Sequence, residues 1–312
     1  MKALIIGGAG FVGYYLTDHL FHECGWSVFV TKLENEVIEQ KDVSVYNLDI
    51  LDRQAIIDIL KEVRPDFIFH LAAQSSVALS WKEPALTVDV NVKGSINVLD
   101  AIRDLDYKPR ILLIGSGEEY GNVLPIEIPI REDNHTRPGN IYAATKTCQN
   151  MIGKIYADAY DMNIIMVRAF NHIGPRQSPM FVVADFCKQV AEIEKGIRES
   201  IIRVGNLNVK RDFTDVRDVV RAYSILIQKG KTGETYNVGS GKAVGINNIL
   251  DLVLEHSHID IKVETDAKKI RPIDLPIIEA NISKLHECTG WLPTISLDKT
   301  ITDTIEYWRA VI

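Results

Sequence analysis

Short apolar runs rich in Ile, Val and Phe recur through the first half of the chain: ALIIG from Ala3, SVFVT from Ser27, VSVYNL from Val43, FIFHLA from Phe67, ILLIGS from Ile111 and IIMVRAF from Ile164. Near-continuous apolar runs of this length mark strands covered on both faces, because a strand with one wet face alternates apolar and polar residues instead. Longer segments with helical spacing separate the runs. Strand and helix in alternation imply right-handed crossovers, and so an α/β fold: a doubly wound parallel Rossmann sheet with helices on both faces. After Phe170 the pattern loosens, and loops holding Gly174, Pro175, Pro179, Gly205, Pro272 and Pro276 interrupt shorter elements. This predicts a smaller α/β lobe over 171–312 beside a first domain over 1–170, with segments around 213–240 returning to that first domain.

A length of 312 residues with 46% hydrophobic content is enough for a large core or for two lobes around a cleft. The net charge of -7, with no long Lys/Arg run, argues against a nucleic-acid or membrane-surface partner. Cys24, Cys148, Cys187 and Cys288 are scattered without metal-ligand spacing, which indicates reduced thiols and neither a zinc site nor a disulfide framework. The start MKALIIGG enters a strand at once and no long apolar stretch appears, so the expected location is cytoplasmic.

Two motifs carry candidate chemistry. GGAGFVG follows the first strand and opens a helix, so Gly7, Gly10 and Gly13 sit where a backbone can approach a pyrophosphate at a positive helix end. The same residues could instead form a tight turn without a ligand. The second strand ends in Thr31 and Lys32, which suits a ribose phosphate and favours NADPH, while Glu34 keeps NADH open. Asp49 could accept from an adenine amine or cap the helix after it. The second motif is Tyr142 and Lys146, four residues apart in YAATK and hence on one helical face. A cation beside a phenol lowers a pKa that starts near ~10, which would let the tyrosine exchange a proton during carbonyl reduction.

HLAAQSSV, NVKGSINVLDA, GSGEEYG, YAATK, VRAFNHIGPRQ and KRDFTDVRDVVRA occur in order along nearly the whole chain. In this set the chain resembles the extended short-chain dehydrogenase/reductases that act on nucleotide sugars. Within that group FNHIGPRQSPMFVVADF is most similar to GDP-4-keto-6-deoxy-D-mannose reductases, which form GDP-D-rhamnose. The related GDP-mannose 4,6-dehydratases usually carry a longer, arginine-containing cofactor loop.

The resemblance implies roles residue by residue. Tyr142 is the proton donor, Lys146 holds the nicotinamide ribose, and Ser116 donates to the reacting oxygen. Glu118 is a proton-abstracting base if the enzyme is a dehydratase, or a contact to a sugar hydroxyl if it is a reductase. Asn91 supports the active-site backbone or a water. The cofactor contacts implied are Gly7, Gly10, Phe11, Val12, Gly13, Thr31, Lys32, Asp49, Ile50, Leu71, Ala72 and Ala73, with Tyr142 and Lys146. Arg211, Arg271 and Asn171 hold the diphosphate of a GDP-sugar. Beside these, Asp185 begins a helix, where its carboxylate could accept from the guanine N–H donors or stabilise the first helical turn; Val182 could pack on the base, Lys188 could reach a phosphate or ribose, and Ser75 and Ser76 could face the hexose. His172 reads as structural. Helices over 88–105 and 142–160 correspond to those that pair two subunits, so a homodimer is expected.

Overall fold

The computed structural model describes residues 1–269 and 275–312, and each of the six apolar runs forms a strand in it. These are β1 (Lys2–Ile6), β2 (Ser27–Lys32), β3 (Ser44–Asn47), β4 (Phe67–His70), β5 (Arg110–Ser116) and β6 (Ile164–Ala169). Short strands β7 (Asn171–Ile173), β8 (Ile201–Val204) and β9 (Lys210–Asp215) follow, and β10 (Thr235–Val238) then joins the main sheet beside β6. The sheet is parallel, with order β10-β6-β5-β4-β1-β2-β3. Strands β11 (Ala243–Gly245), β12 (Lys262–Thr265) and β13 (Ile277–Ile278) complete two small sheets, in which β9 pairs with β7, β11 and β13, and β8 with β12.

Helices follow the strands in the order α1 (Phe11–Asp18), α2 (Arg53–Val63), α3 (Val77–Lys82), α4 (Pro84–Val88), α5 (Ser95–Arg103), α6 (Ile141–Tyr160), α7 (Val182–Glu194) and α8 (Val216–Lys229). α9 (Ile246–Glu255), α10 (Ser283–Thr289) and α11 (Leu297–Val311) close the chain.

The period of two along each strand divides the core into two layers. Ala3, Ile5, Leu112, Ile165 and Val167 point to one face, where they meet Leu16 of α1 and Val219, Leu226 and Ile227 of α8. Leu4, Ile6, Ile111, Leu113 and Met166 point to the other, against Ile56 and Leu60 of α2 and Val98 and Leu99 of α5. Burying one such side chain is worth about 1.5–3 kcal/mol, so the paired layers fix the sheet as a rigid platform. A third core of Val183, Phe186, Val190, Ile202, Ile249, Val253, Ile301 and Ile305 belongs to α7, α9, α11 and β8. No described helix is long and apolar enough to cross a membrane.

Strand order reverses between β1 and β4, and the carboxyl ends of these strands therefore open a crevice, the usual ligand position in such sheets. The loop 7–10 leaves β1 into it, and Leu71 and Ala72 leave β4 while donating their amides to the Ile6 carbonyl.

Candidate active site

Gly7 adopts φ +85°, and an added Cβ would lie 2.6 Å from the Ala72 backbone. Gly13 is pressed against the Gly8 carbonyl, 2.3 Å from its own would-be Cβ. The first contact seats the loop against the segment leaving β4, and the second closes it against α1. Gly10, the N-cap of α1, has nothing within 4 Å of that position and faces open space. Phe11 and Val12 begin the helix, so their amides lie at its positive end. The arrangement fits a diphosphate: glycine contacts on the inner side, free backbone on the outer.

Several residues assigned to this cofactor crevice take other roles. Thr31 is buried, and its hydroxyl accepts the Gly7 N–H at 3.1 Å, so it braces the loop instead of facing a ribose. Lys32 remains at the strand end, where its ammonium donates to the local carbonyls of Leu33 and Glu34. Asp49 accepts the Leu51 amide in a turn, and the cap of α2 is Asp52, bound by the Ala55 amide at 3.0 Å. Ile50 is a core side chain, packed in the space that the missing Cβ of Gly94 leaves. Ala73 lies half-buried on the β4 side of the crevice.

Ser116 ends β5, and the polypeptide turns there into a single 3-10 turn, Gly117–Tyr120. Its hydroxyl accepts the Glu118 amide at 3.2 Å and lies on the side of the Tyr142 phenol, whose pKa it lowers. α6 is capped by Asn140, whose side chain accepts the Ala143 amide at 2.8 Å and donates to Glu118 at 3.3 Å. Tyr142 and Lys146 then follow on one face. The Lys146 ammonium donates to the Ile114 carbonyl at 2.8 Å and to Gln149 at 3.0 Å. Asn91 is buried and holds both backbone groups of Gln74, at 2.8 and 3.0 Å, and the Thr145 hydroxyl at 3.0 Å. It ties the β4 loop to α6, which is the supporting role expected for it.

The electrostatics correct the reading of the pair. Burial pushes the Tyr142 phenol up to about 12, opposed by the Ser116 hydroxyl and reinforced by the Glu118 and Glu119 carboxylates. Lys146 does not draw it down, because the ammonium is directed at Ile114 and Gln149. Burial instead draws Lys146 itself down to about 8, against the pull of Glu119. The phenol is thus held protonated at neutral pH, ready to give a proton and poorly placed to take one. The charge on Lys146 is present below pH 8 and lost above it. If turnover needs that charge, kcat/KM should fall along a one-proton limb above about pH 8, and a profile flat to about pH 10 would remove the ammonium from the reaction.

Beneath these groups lies a buried network that the motifs did not single out. Glu119, fully buried, accepts the Ser116 amide at 2.9 Å, the Asn150 amide group at 2.7 and 2.9 Å, and Arg168 Nε at 3.0 Å. Arg168 also lies 4.6 Å above the Tyr120 ring. Burial pushes the Glu119 carboxyl up, and Arg168 with the two amide donors opposes this. The adjacent Glu118 in GSGEEYG drew attention through its spacing from Ser116, whereas only the tertiary partners distinguish Glu119.

The residues assigned to the sugar nucleotide are less uniform. Ser75 and Asn171 are exposed, and Val182 is partly so at the start of α7. Ser76 is taken up as the cap of α3. Asp185 is engaged through Oδ2 by Lys269 at 2.5 Å and Gln189 at 3.0 Å. Lys188 turns toward Glu192 at 3.6 Å and lies 5.5 Å from the Trp308 ring, which takes it to the α11 side of its helix and away from a phosphate role. Arg211 donates to the carbonyls of Lys210 and Leu275. Arg271 lies outside the described residues. His172 stacks on Phe11 at 6.0 Å and bonds the Phe170 carbonyl, a packing role.

A Rossmann sheet with a glycine loop at its switch point and a Ser-Tyr-Lys group at the neighbouring strand end defines a dinucleotide-dependent enzyme of the short-chain dehydrogenase/reductase type. The sequence matches the GDP-mannose 4,6 dehydratase family over residues 4–304, and the chain belongs to that family. Its members and structural neighbours are NAD(P)-dependent nucleotide-sugar dehydratases, reductases and epimerases. The chain is 28% identical to the GDP-6-deoxy-D-mannose reductase of Pseudomonas aeruginosa over 310 residues, covering 99% of this chain and 97% of the relative. It is 26% identical to the GDP-mannose 4,6-dehydratase of Yersinia enterocolitica over 349 residues, covering 97% and 92%. The structure of RMD from P. aeruginosa complexed with NADPH superimposes with a TM-score of 0.90 over all of both chains, at 28% identity.

Proposed function

We propose that this chain is an NADPH-dependent ketosugar reductase that converts GDP-4-keto-6-deoxy-D-mannose to GDP-D-rhamnose. The end-to-end likeness to the P. aeruginosa reductase carries this reading. That likeness runs over 310 residues, whereas the dehydratase comparison extends over 349 although the chain has 312. The dehydratase therefore contains segments this chain lacks, and the short connection 33–43 between β2 and β3 agrees with that difference.

Gly7, Gly10 and the Phe11 and Val12 amides would hold the pyrophosphate, Lys32 the adenosine phosphate, and Lys146 the nicotinamide ribose. Bound NADPH supplies the hydride to sugar carbon 4. As negative charge grows on the carbonyl oxygen, the protonated Tyr142 phenol gives up its proton to it while Ser116 donates a hydrogen bond. Donors already aimed at that oxygen favour the transition state over the ketone. Glu118, partly exposed beside them, accepts from a sugar hydroxyl. Arg211 and Asn171 lie toward the second lobe, where the GDP diphosphate would rest.

Glu118 also supports a second reading, because a carboxylate two residues past Ser116 suits proton removal in a GDP-mannose dehydratase. One assay separates the two. The reductase consumes one NADPH per ketosugar and leaves GDP-mannose untouched, whereas the dehydratase turns over GDP-mannose with no net nicotinamide change.

We further propose that the enzyme is a homodimer. α4 and α6 pack together and leave Leu86, Val88, Met151 and Ile155 exposed, an apolar surface that a second copy would cover. In sedimentation, Met151→Glu with Ile155→Glu should halve the mass, and an unchanged mass would place the interface elsewhere.

A further inference from the structure

The connection 33–43 does not hang free. It runs across the mouth of the glycine loop, where Gln40 donates to the Tyr14 carbonyl at 3.0 Å and the Glu39 carboxylate pairs with the guanidinium of Arg176. Between them lies a cleft of about 150 Å³, with Gly8, Gly10 and Phe11 on one wall and Val37 to Gln40 on the other. Among the described residues lining it, Arg176 is the one cation and Glu39 the one anion.

Arg176 is positioned with care. Its guanidinium lies 4.1 Å over the Tyr14 ring, and its backbone takes φ +73°, a left-handed conformation that non-glycine residues seldom adopt. The turn that holds it is fastened to the rest of the site. Tyr15 donates its phenol to the Pro175 carbonyl at 3.0 Å, and Gln177 bonds the His172 carbonyl at 2.8 Å. Strain at one residue, maintained by neighbours anchored on α1, places a planar fork of donors at the opening of a cleft floored by glycine backbone.

We infer that Arg176 binds a phosphate of the dinucleotide and that Glu39 is a stand-in anion, holding the guanidinium in place until the phosphate displaces it. This rests on the dinucleotide reading above and adds a residue to it. A guanidinium offers the same two-pronged geometry to a carboxylate and to a phosphate, so one can replace the other without moving the arginine. Tyr14 supports the cation from behind in both states. Glu39 is more than half exposed and can rotate into water when released. Its negative charge, at the rim of an anion site, opposes the ligand in the meantime.

The two halves of this ion pair therefore act on binding with opposite signs, which an ordinary structural salt bridge would not do. NADPH affinity, read from its own fluorescence in a titration with no sugar present, should weaken roughly tenfold to a hundredfold in Arg176→Ala. Because alanine is strained at this φ, Arg176→Gly serves as the second variant: it removes the side chain and relaxes the backbone, and should weaken binding equally. Glu39→Gln should tighten binding severalfold, and this gain should vanish when combined with Arg176→Gly. 2′-Phospho-ADP-ribose should reproduce the pattern, since it carries the diphosphate and the 2′-phosphate without the nicotinamide.

If wild-type chain binds NADPH but neither arginine variant changes its affinity, or if Glu39→Gln weakens it, the inference is overturned and the cofactor reading stands. If the wild type binds no NADPH at all, both fall together.

Discussion

Tyr142→Phe is expected to lower kcat by about a thousandfold, within the ~10²–10⁴ span of general-acid contributions, while leaving NADPH affinity close to wild type. The ring is largely buried at the face of α6 and phenylalanine preserves its packing, so the change removes one O–H and little else. That O–H is held protonated by its surroundings, with a pKa pushed up to about 12. Without it the growing negative charge at the sugar oxygen meets Ser116 alone. Pre-steady-state mixing of enzyme, NADPH and ketosugar measures the hydride step directly. A loss smaller than about tenfold would mean that water or Ser116 supplies the proton.

Glu119→Ala should cost about 3–5 kcal/mol of stability, the usual consequence of leaving a buried charge without its partner. Arg168 has only 12% of its side chain exposed, and Glu119 none. Truncation strands the guanidinium and deprives the Ser116 amide and Asn150 of their acceptor. Against a typical total of ~5–15 kcal/mol, this is a large share of the stability. Urea denaturation measures it. Replacing both members, Glu119→Leu with Arg168→Leu, should recover a large part of the loss, because an apolar pair has no unmet charge. If the double variant is as unstable as the single one, shape and not charge governs the site.

The fold was legible in the sequence because its cause is local. A parallel strand covered on both faces has to be apolar throughout, and ILLIGS or IIMVRAF has no other comfortable environment. The glycine loop was legible for the same reason, since its spacing answers a steric demand visible in one short stretch. What escaped was set by distant partners. GSGEEYG offers two adjacent glutamates, and which one is buried depends on Arg168, 49 residues away. Lys146 near Tyr142 suggested a lowered phenol pKa, but Ile114 and Gln149 claim the ammonium and burial dominates the phenol. Thr31 ends β2 where a ribose contact would stand, but its hydroxyl accepts the Gly7 amide, 24 residues away in sequence. Lys188 shares a face with Glu192 as well as with Asp185, and the helix gives no reason to prefer one direction. Arg176 and Glu39 lie 137 positions apart and meet only because α1 and its neighbours bring two loops to one cleft.

The edge position of β10 bears on how the polypeptide acquires its shape during synthesis. That strand is made only after about three quarters of the chain, including α7, has left the ribosome. Until then the outer edge of β6 presents unpaired amides and carbonyls, an invitation to misjoin with another nascent copy. The Tyr120 hydroxyl, one turn past Ser116, likewise waits for Asn237 of β10, its partner at 2.6 Å. The amino-terminal half is thus a template completed from downstream, and a gene fragment ending near residue 170 would yield an open-sided sheet with an unfinished reaction centre.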